Sequence, residues 1–199
     1  MVFAYHLIFT THGFWLPNDP RGSWSDFVAS WELFWFGAAT KTVDRRSLAR
    51  RRHDRALRLI AKTALKYPPV VFTAEQARCV AEGIGRAVRE AGYVVYACSV
   101  MPDHVHLVIA RHPRAVKQIV GHLKARATRV LNESGLNPQG DYRVPDGRVP
   151  SPWVEGCWTV FLDSHADITR AIAYVENNPI REGLKAQHWT FVTPYLQRG

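Results

Sequence analysis

The chain of 199 residues is 47% hydrophobic and carries 26 Lys plus Arg against 17 Asp plus Glu, enough for one domain over 1–199 with room for an insertion and short for two. A net charge of +9 favours a polyanionic partner, because released counterions reward cationic surfaces on nucleic acid, although charge alone does not separate DNA from RNA or an acidic membrane. Cys79, Cys98 and Cys157 are odd in number and lack C-x-x-C spacing, which excludes a disulfide framework or a zinc knuckle; with no signal-like or membrane-length apolar segment, a cytoplasmic protein without a membrane partner is expected.

The first strand is read from Val2 to Thr11, where aromatic and β-branched residues alternate until Thr11, His12 and Gly13 break the pattern. Residues 14–70 follow as an insertion before the first core helix, Trp-rich at its start, Arg-rich in its middle and partly helical near its end. Between Lys41 and Arg58 stand eight Lys or Arg (Lys41, Arg45, Arg46, Arg50, Arg51, Arg52, Arg55, Arg58) against Asp44 and Asp54. Such a run is either a solvated face or, beside Trp15, Trp24, Trp31 and Trp35, the mix of cations and stacking surfaces that binds single strands and hairpins. For most of the tryptophans the plain expectation is the core of the inserted lobe. The DNA-contact candidates here are Arg45, Arg46, Arg50, Arg51, Arg52, Arg55, Trp15 and Trp24.

From Thr73 the pattern turns helical. Thr73 stands three residues before Gln76 as in a capping box, Val80, Ile84, Ala87 and Val88 share one stripe, and Gly92 ends the run. Two strands over 93–101 and 104–112 are joined by Pro102 and Asp103 as a hairpin. A helix over 114–135 gathers Val116, Ile119, Val120, Leu123, Ala127, Val130 and Leu131 on one side, and offers Lys117, Lys124 and Arg126 as a second contact for a nucleic-acid backbone. After the loop 137–152, a fourth strand is read over 156–164, and a last helix starts at Ser164 with Asp167 three residues on. The order β-α-β-β-α-β is that of the ferredoxin-like split βαβ unit, an α+β fold with an antiparallel sheet in which the third strand is central.

That third strand opens with His104 and His106, two residues apart and therefore on one face, while Val105, Leu107 and Ile109 project to the other. The pair fits a bidentate metal site or two satisfied structural histidines. On the last helix Ile168, Ala171, Ile172 and Val175 form the core stripe, with Tyr174 and Asn178 one turn apart on its flank. Asn178 equally fits an N-cap for a short turn begun by Pro179. His6, His12, His112 and His122 are read as structural or surface residues.

The combination of Met-Pro-Asp before His104 and His106 with Tyr174 and Asn178-Pro179 on a helix resembles the single-tyrosine HUH transposases, the transposase IS200-like family. Residues 11–24, "THGFWLPNDPRGSW", resemble their branch of REP-associated tyrosine transposases. The likeness runs from the first strand to the "WTFV" of 189–192. It implies an HUH endonuclease fold whose added C-terminal helix carries the nucleophile, Tyr174. It implies a divalent metal, Mg²⁺ or Mn²⁺, held by His104, His106 and a polar residue one turn after the tyrosine, here Asn178 where better-known members have Gln. The implied activity is a transposase that nicks and rejoins single-stranded DNA through a 5′-phosphotyrosine, acting on hairpins of repeated palindromes as monomer or homodimer.

Other classes fare less well. A histidine-triad hydrolase needs further histidines on the strand face, but position 108 is Val, and a two-motif phosphoesterase needs a second H-x-S/T. The strongest alternative is a domesticated DNA-hairpin-binding protein that keeps the site and no longer transposes.

Overall fold

The computed structural model describes residues 1–23, 25–42 and 51–196. Their contacts divide the chain into two compact units, Met1–Thr10 with Val71–Gly199, and Thr11–Val70.

The first unit is built on four strands, β1 (Ala4–Thr10), β2 (Val95–Val100), β3 (His104–Ala110) and β4 (Trp158–Leu162), in the order β2-β3-β1-β4 with every pairing antiparallel. This is the ferredoxin-like order expected from the sequence, and β3 is central. Three helices belong to the unit, α2 (Ala74–Ala91), α3 (Val116–Glu133) and α4 (His165–Arg181); α1 (Arg55–Thr63) lies in the other unit. Helix α2 begins where the capping box requires. Thr73 Oγ1 accepts from the Gln76 N–H and Gln76 Oε1 accepts from the Thr73 N–H, and Gly92 closes the helix in the left-handed conformation, φ 66°.

The pleat sends alternate residues to opposite faces of the sheet. Leu7, Phe9, Val105, Leu107 and Ile109 point one way and are buried, on the face covered by α2 and α3, whose axes approach so closely that a Cβ at Gly83 would lie 2.4 Å from Ala127 Cα. The other face carries Ala4, Ala97, Val108 and Leu162, and α4 lays Ile168, Ala171 and Val175 on them. His6, His104 and His106 share this second face by alternation. The edge of β2 is covered by the C-terminal stretch: Gln187 Oε1 accepts from the Val100 N–H, Gln187 Nε2 donates to the Val100 carbonyl, and the Thr193 N–H donates to the Val95 carbonyl.

The regular structure among the described residues of the second unit is a 3-10 turn, Trp31–Phe36, and α1 (Arg55–Thr63), capped by Asp54. It closes on a small core of Leu16, Val28, Leu33 and Ala61 and on a buried ion pair in which both Nε and Nη2 of Arg21 donate to the Asp19 carboxylate. The expectation that most tryptophans form this core fails at two positions. The turn anchors Leu33 inside and leaves Trp31 at 69%, Phe34 at 61% and Trp35 at 86% exposure, because a six-residue turn presents only one side to so small a core.

Candidate functional site

The antiparallel register sets Ile8 of β1 against His106 of β3, and His6 against Val108. His6 and His106 are thus diagonal neighbours on one face, and their rings reach each other: His6 Nε2 and His106 Nδ1 share a hydrogen bond of 3.0 Å. The His104 and His106 ring centroids are 4.7 Å apart. His104 is held from the hairpin, its Nδ1 donating to Asp103 Oδ1 at 2.7 Å. A neutral imidazole so engaged carries its lone pair on Nε2.

Helix α4 brings the phenol. The Tyr174 ring centroid lies 5.4 Å from that of His106 and 5.8 Å from that of His6. The tyrosine remains 43% exposed, whereas His106 is almost wholly buried. One turn on, Asn178 is buried too. The helix runs unbroken through Asn178 and Pro179 to Arg181, so the sequence alternative of Asn178 as an N-cap is not what the chain does. Pro179 has no N–H for the Val175 carbonyl, but it stands near the helix end and is itself buried, and the Glu182 and Leu184 N–H groups return to the Asn178 and Pro179 carbonyls.

Burial dominates the electrostatics. It pushes the His6 imidazole down to about 4. His106 falls to about 2, again through burial first and then through its His104 and His6 neighbours. Both rings are therefore neutral at neutral pH, the protonation state in which imidazole ligates a metal. Among the described residues no three His, Cys, Asp or Glu side chains are grouped as a metal cage. Asn178, buried one turn after Tyr174 on α4, is the helix residue that could add an amide oxygen to the two imidazoles. Two neutral nitrogens and an amide with open positions could hold a divalent ion, Mg²⁺ or Mn²⁺ where substrate oxygens complete the shell, and such a donor set would also take zinc.

The structure gathers His104, His106 and Tyr174, with Asn178 one turn along, and adds His6, which the sequence reading treats as structural or surface. The signal for His6 is its alternation with Leu7 and Phe9; the β1–β3 register that brings it to His106 is not written in local sequence. The proposed backbone contacts on α3 do not join this group, since α3 covers the opposite face of the sheet. Lys117 is exposed there. Lys124 Nζ donates to the Val154 and Gly156 carbonyls, and Arg126 pairs with Glu90. In the second unit, Trp15 lies under the Arg21 guanidinium, 3.7 Å from its ring centroid, and Arg51 Nη1 donates to the Arg21 carbonyl. Arg52 and Arg55 are exposed. Trp24, Arg45, Arg46 and Arg50 lie outside the described residues.

A sheet-borne imidazole pair thus faces a helix-borne phenol. The family model for transposase IS200-like proteins matches residues 58–178, well over half of the chain, and the protein belongs to that family. Among solved structures, the chain is similar to the REP-associated tyrosine transposase bound to a REP hairpin at 11% identity, covering 92% of this chain and 69% of that one with a TM-score of 0.46. It is similar to a candidate transposase from Deinococcus radiodurans at 17% identity, covering 89% and 91% with a TM-score of 0.45. Both scores are low, so the fold assignment stands on this chain's own strand order. No curated protein sequence matches the chain. No helix among the described residues is long and apolar enough to cross a membrane.

Proposed function

We propose that this transposase cuts and rejoins single-stranded DNA at hairpin-flanking sites, with Tyr174 as the nucleophile and His104, His106 and Asn178 as the ligands of Mg²⁺ or Mn²⁺. The observation that carries the reading is the approach of the Tyr174 ring to His106 on the sheet face shared with His104. A phenol is mostly protonated at neutral pH and attacks a phosphodiester only when the phosphorus is polarised and held in line. A divalent cation held by His104, His106 and Asn178 would supply that polarisation as a Lewis acid. Tyr174 Oη forms the new bond to phosphorus and gives up its proton, while the bond to the 3′-oxygen breaks and that oxygen leaves as a 3′-hydroxyl. The products are a 5′-phosphotyrosine and a free 3′ end. One phosphodiester replaces another of similar energy, so attack by a 3′-hydroxyl on the phosphotyrosine rejoins strands without ATP.

The inserted unit is the favoured DNA contact. Residues 11–70 carry eleven Lys or Arg against five Asp or Glu, the surplus that attracts phosphates, and the exposed Trp31 and Trp35 are of the type on which unpaired bases stack. The deciding experiment incubates the protein with labelled single-stranded DNA containing palindromes and their flanks, with Mg²⁺. A covalent protein–DNA adduct is expected from the unaltered protein, and none from Tyr174→Phe, which keeps the ring and loses only the hydroxyl. Cleavage by Tyr174→Phe at a tenth or more of the original rate assigns the chemistry to another residue. A reversible shift with no adduct in either protein leaves a hairpin-binding protein.

A further inference from the structure

We infer that His6 is a positioning residue for the site, accepting a hydrogen bond from His106 Nδ1–H and so holding His106 with its Nε2 lone pair aimed away from β1 as the ligating atom. The inference rests on the metal reading above and goes beyond it to a residue on a different strand.

His6 Nε2 and His106 Nδ1 lie 3.0 Å apart. Two neutral imidazoles can share that bond in either direction, and the two directions have opposite consequences. If His6 donates, His106 Nδ1 is the acceptor, the His106 proton sits on Nε2, and that nitrogen has no lone pair for a cation. If His106 donates, its proton is on Nδ1, Nε2 is basic, and His6 carries its own proton on Nδ1. Only the second direction leaves His106 with a ligating nitrogen, because Nδ1 is occupied by His6 in both.

His104, two residues back on the same strand, shows the same design in another chemistry. His104 Nδ1 donates to Asp103 Oδ1, which fixes that ring by a carboxylate, one of the partners commonly found behind a metal-bound histidine. His106 is buried, and the buried acceptor supplied to it is an imidazole from β1. The choice suits its surroundings, because an ionised carboxylate at the buried His6 position would be costly to desolvate. The Tyr174 ring lies 5.8 Å from that of His6 and 5.4 Å from that of His106, so the phenol borders both members of the pair.

The test begins with unaltered protein and no metal. Long-range ¹⁵N–¹H NMR of the imidazoles at neutral pH is expected to show His106 protonated at Nδ1 and His6 unprotonated at Nε2. The reverse pattern overturns the inference, and this measurement needs no variant to fold. Mn²⁺ is then titrated by calorimetry into DNA-free protein and two variants. His6→Ala is expected to weaken Mn²⁺ binding about 10–100-fold, the usual effect of removing an outer-sphere partner. His6→Gln, whose amide oxygen can accept the same bond, is expected to recover part of the loss. Mn²⁺ binding by a folded His6→Ala variant as tight as that of the unaltered protein removes this inference alone. If the unaltered protein takes up no Mn²⁺, the metal reading falls and this inference falls with it.

Discussion

His104 and His106 share a sheet face because a strand alternates sides with a period of two, and Tyr174 and Asn178 share a helix flank because they stand one turn apart. What local pattern cannot supply is the register. His6 lies 100 residues from His106, and only the pairing of Ile8 with His106 brings the two rings together. Asp103 sits in plain view in the hairpin, where a turn residue is expected for backbone reasons, and its second use as acceptor for His104 emerges only in three dimensions. These neighbours set the expected effects of single changes. His104→Ala and His106→Ala should each lower cleavage by at least about 100-fold, within the range for removal of acid–base or positioning groups. Added Mn²⁺ should not restore the double variant, since one amide cannot hold the ion. Cleavage by unaltered protein that persists in EDTA would show the histidines to be structural.

At the scale of elements, caps and stripes are readable where the chain's own chemistry ends a helix: Thr73 with Gln76 starts α2, and Gly92 stops it. The end of α4 is harder to read, because Asn before Pro is a strong local signal for a new start, and the burial of Pro179 against the core outweighs it. The tightest approach between elements is that of α2 to α3. Gly83→Ala places a methyl 2.4 Å from Ala127 Cα and 2.5 Å from the Arg126 carbonyl oxygen, backbone atoms that cannot turn aside. The substitution gains about 1 kcal/mol of helix propensity yet should destabilise overall by about 1–3 kcal/mol through overpacking, read as a lower urea midpoint at unchanged slope. A midpoint at or above that of the parent would mean the two helices do not touch at this point. In the inserted unit, His12 is the sensor. Burial lowers its pKa, with the Tyr67 carbonyl opposing in part. The folded unit thus binds the proton less readily than the unfolded chain, and stability is fully present above about 6.5, the unperturbed value. It declines as pH falls from there through the lowered folded value. Hydrogen exchange within residues 11–70 should accelerate as pH is lowered through about 6.5 beyond the intrinsic change, and less so in His12→Gln. Equal acceleration in both proteins would clear His12 of the role.

At the scale of the whole molecule, charge is unevenly shared. Residues 11–70 hold a surplus of six cations within the total of +9, and composition alone could announce the polyanion but not the surface that meets it. The structure narrows the choice: Trp15 is engaged by Arg21, whereas Trp31 and Trp35 are open to solvent, so the stacking candidates shift along the chain from the ones the sequence favours. Two kinds of change should then separate. Arg51→Glu with Arg52→Glu removes counterion release, so the affinity for a single-stranded hairpin flank should fall at low salt, and the slope of log affinity against log salt should flatten by about 1 for each phosphate that is no longer neutralised. Trp35→Ala leaves the charge unchanged, so its slope should equal that of the parent while affinity drops by about 1–3 kcal/mol if one base stacks there. Neither change touches Tyr174, and with saturating DNA both variants should still form the covalent adduct. Duplex DNA of the same sequence has no unpaired base to offer Trp35, and its affinity should be indifferent to the tryptophan while sharing the salt dependence. A Trp35→Ala effect of equal size on duplex and single strand would show that the ring supports the fold of the unit rather than reads its substrate.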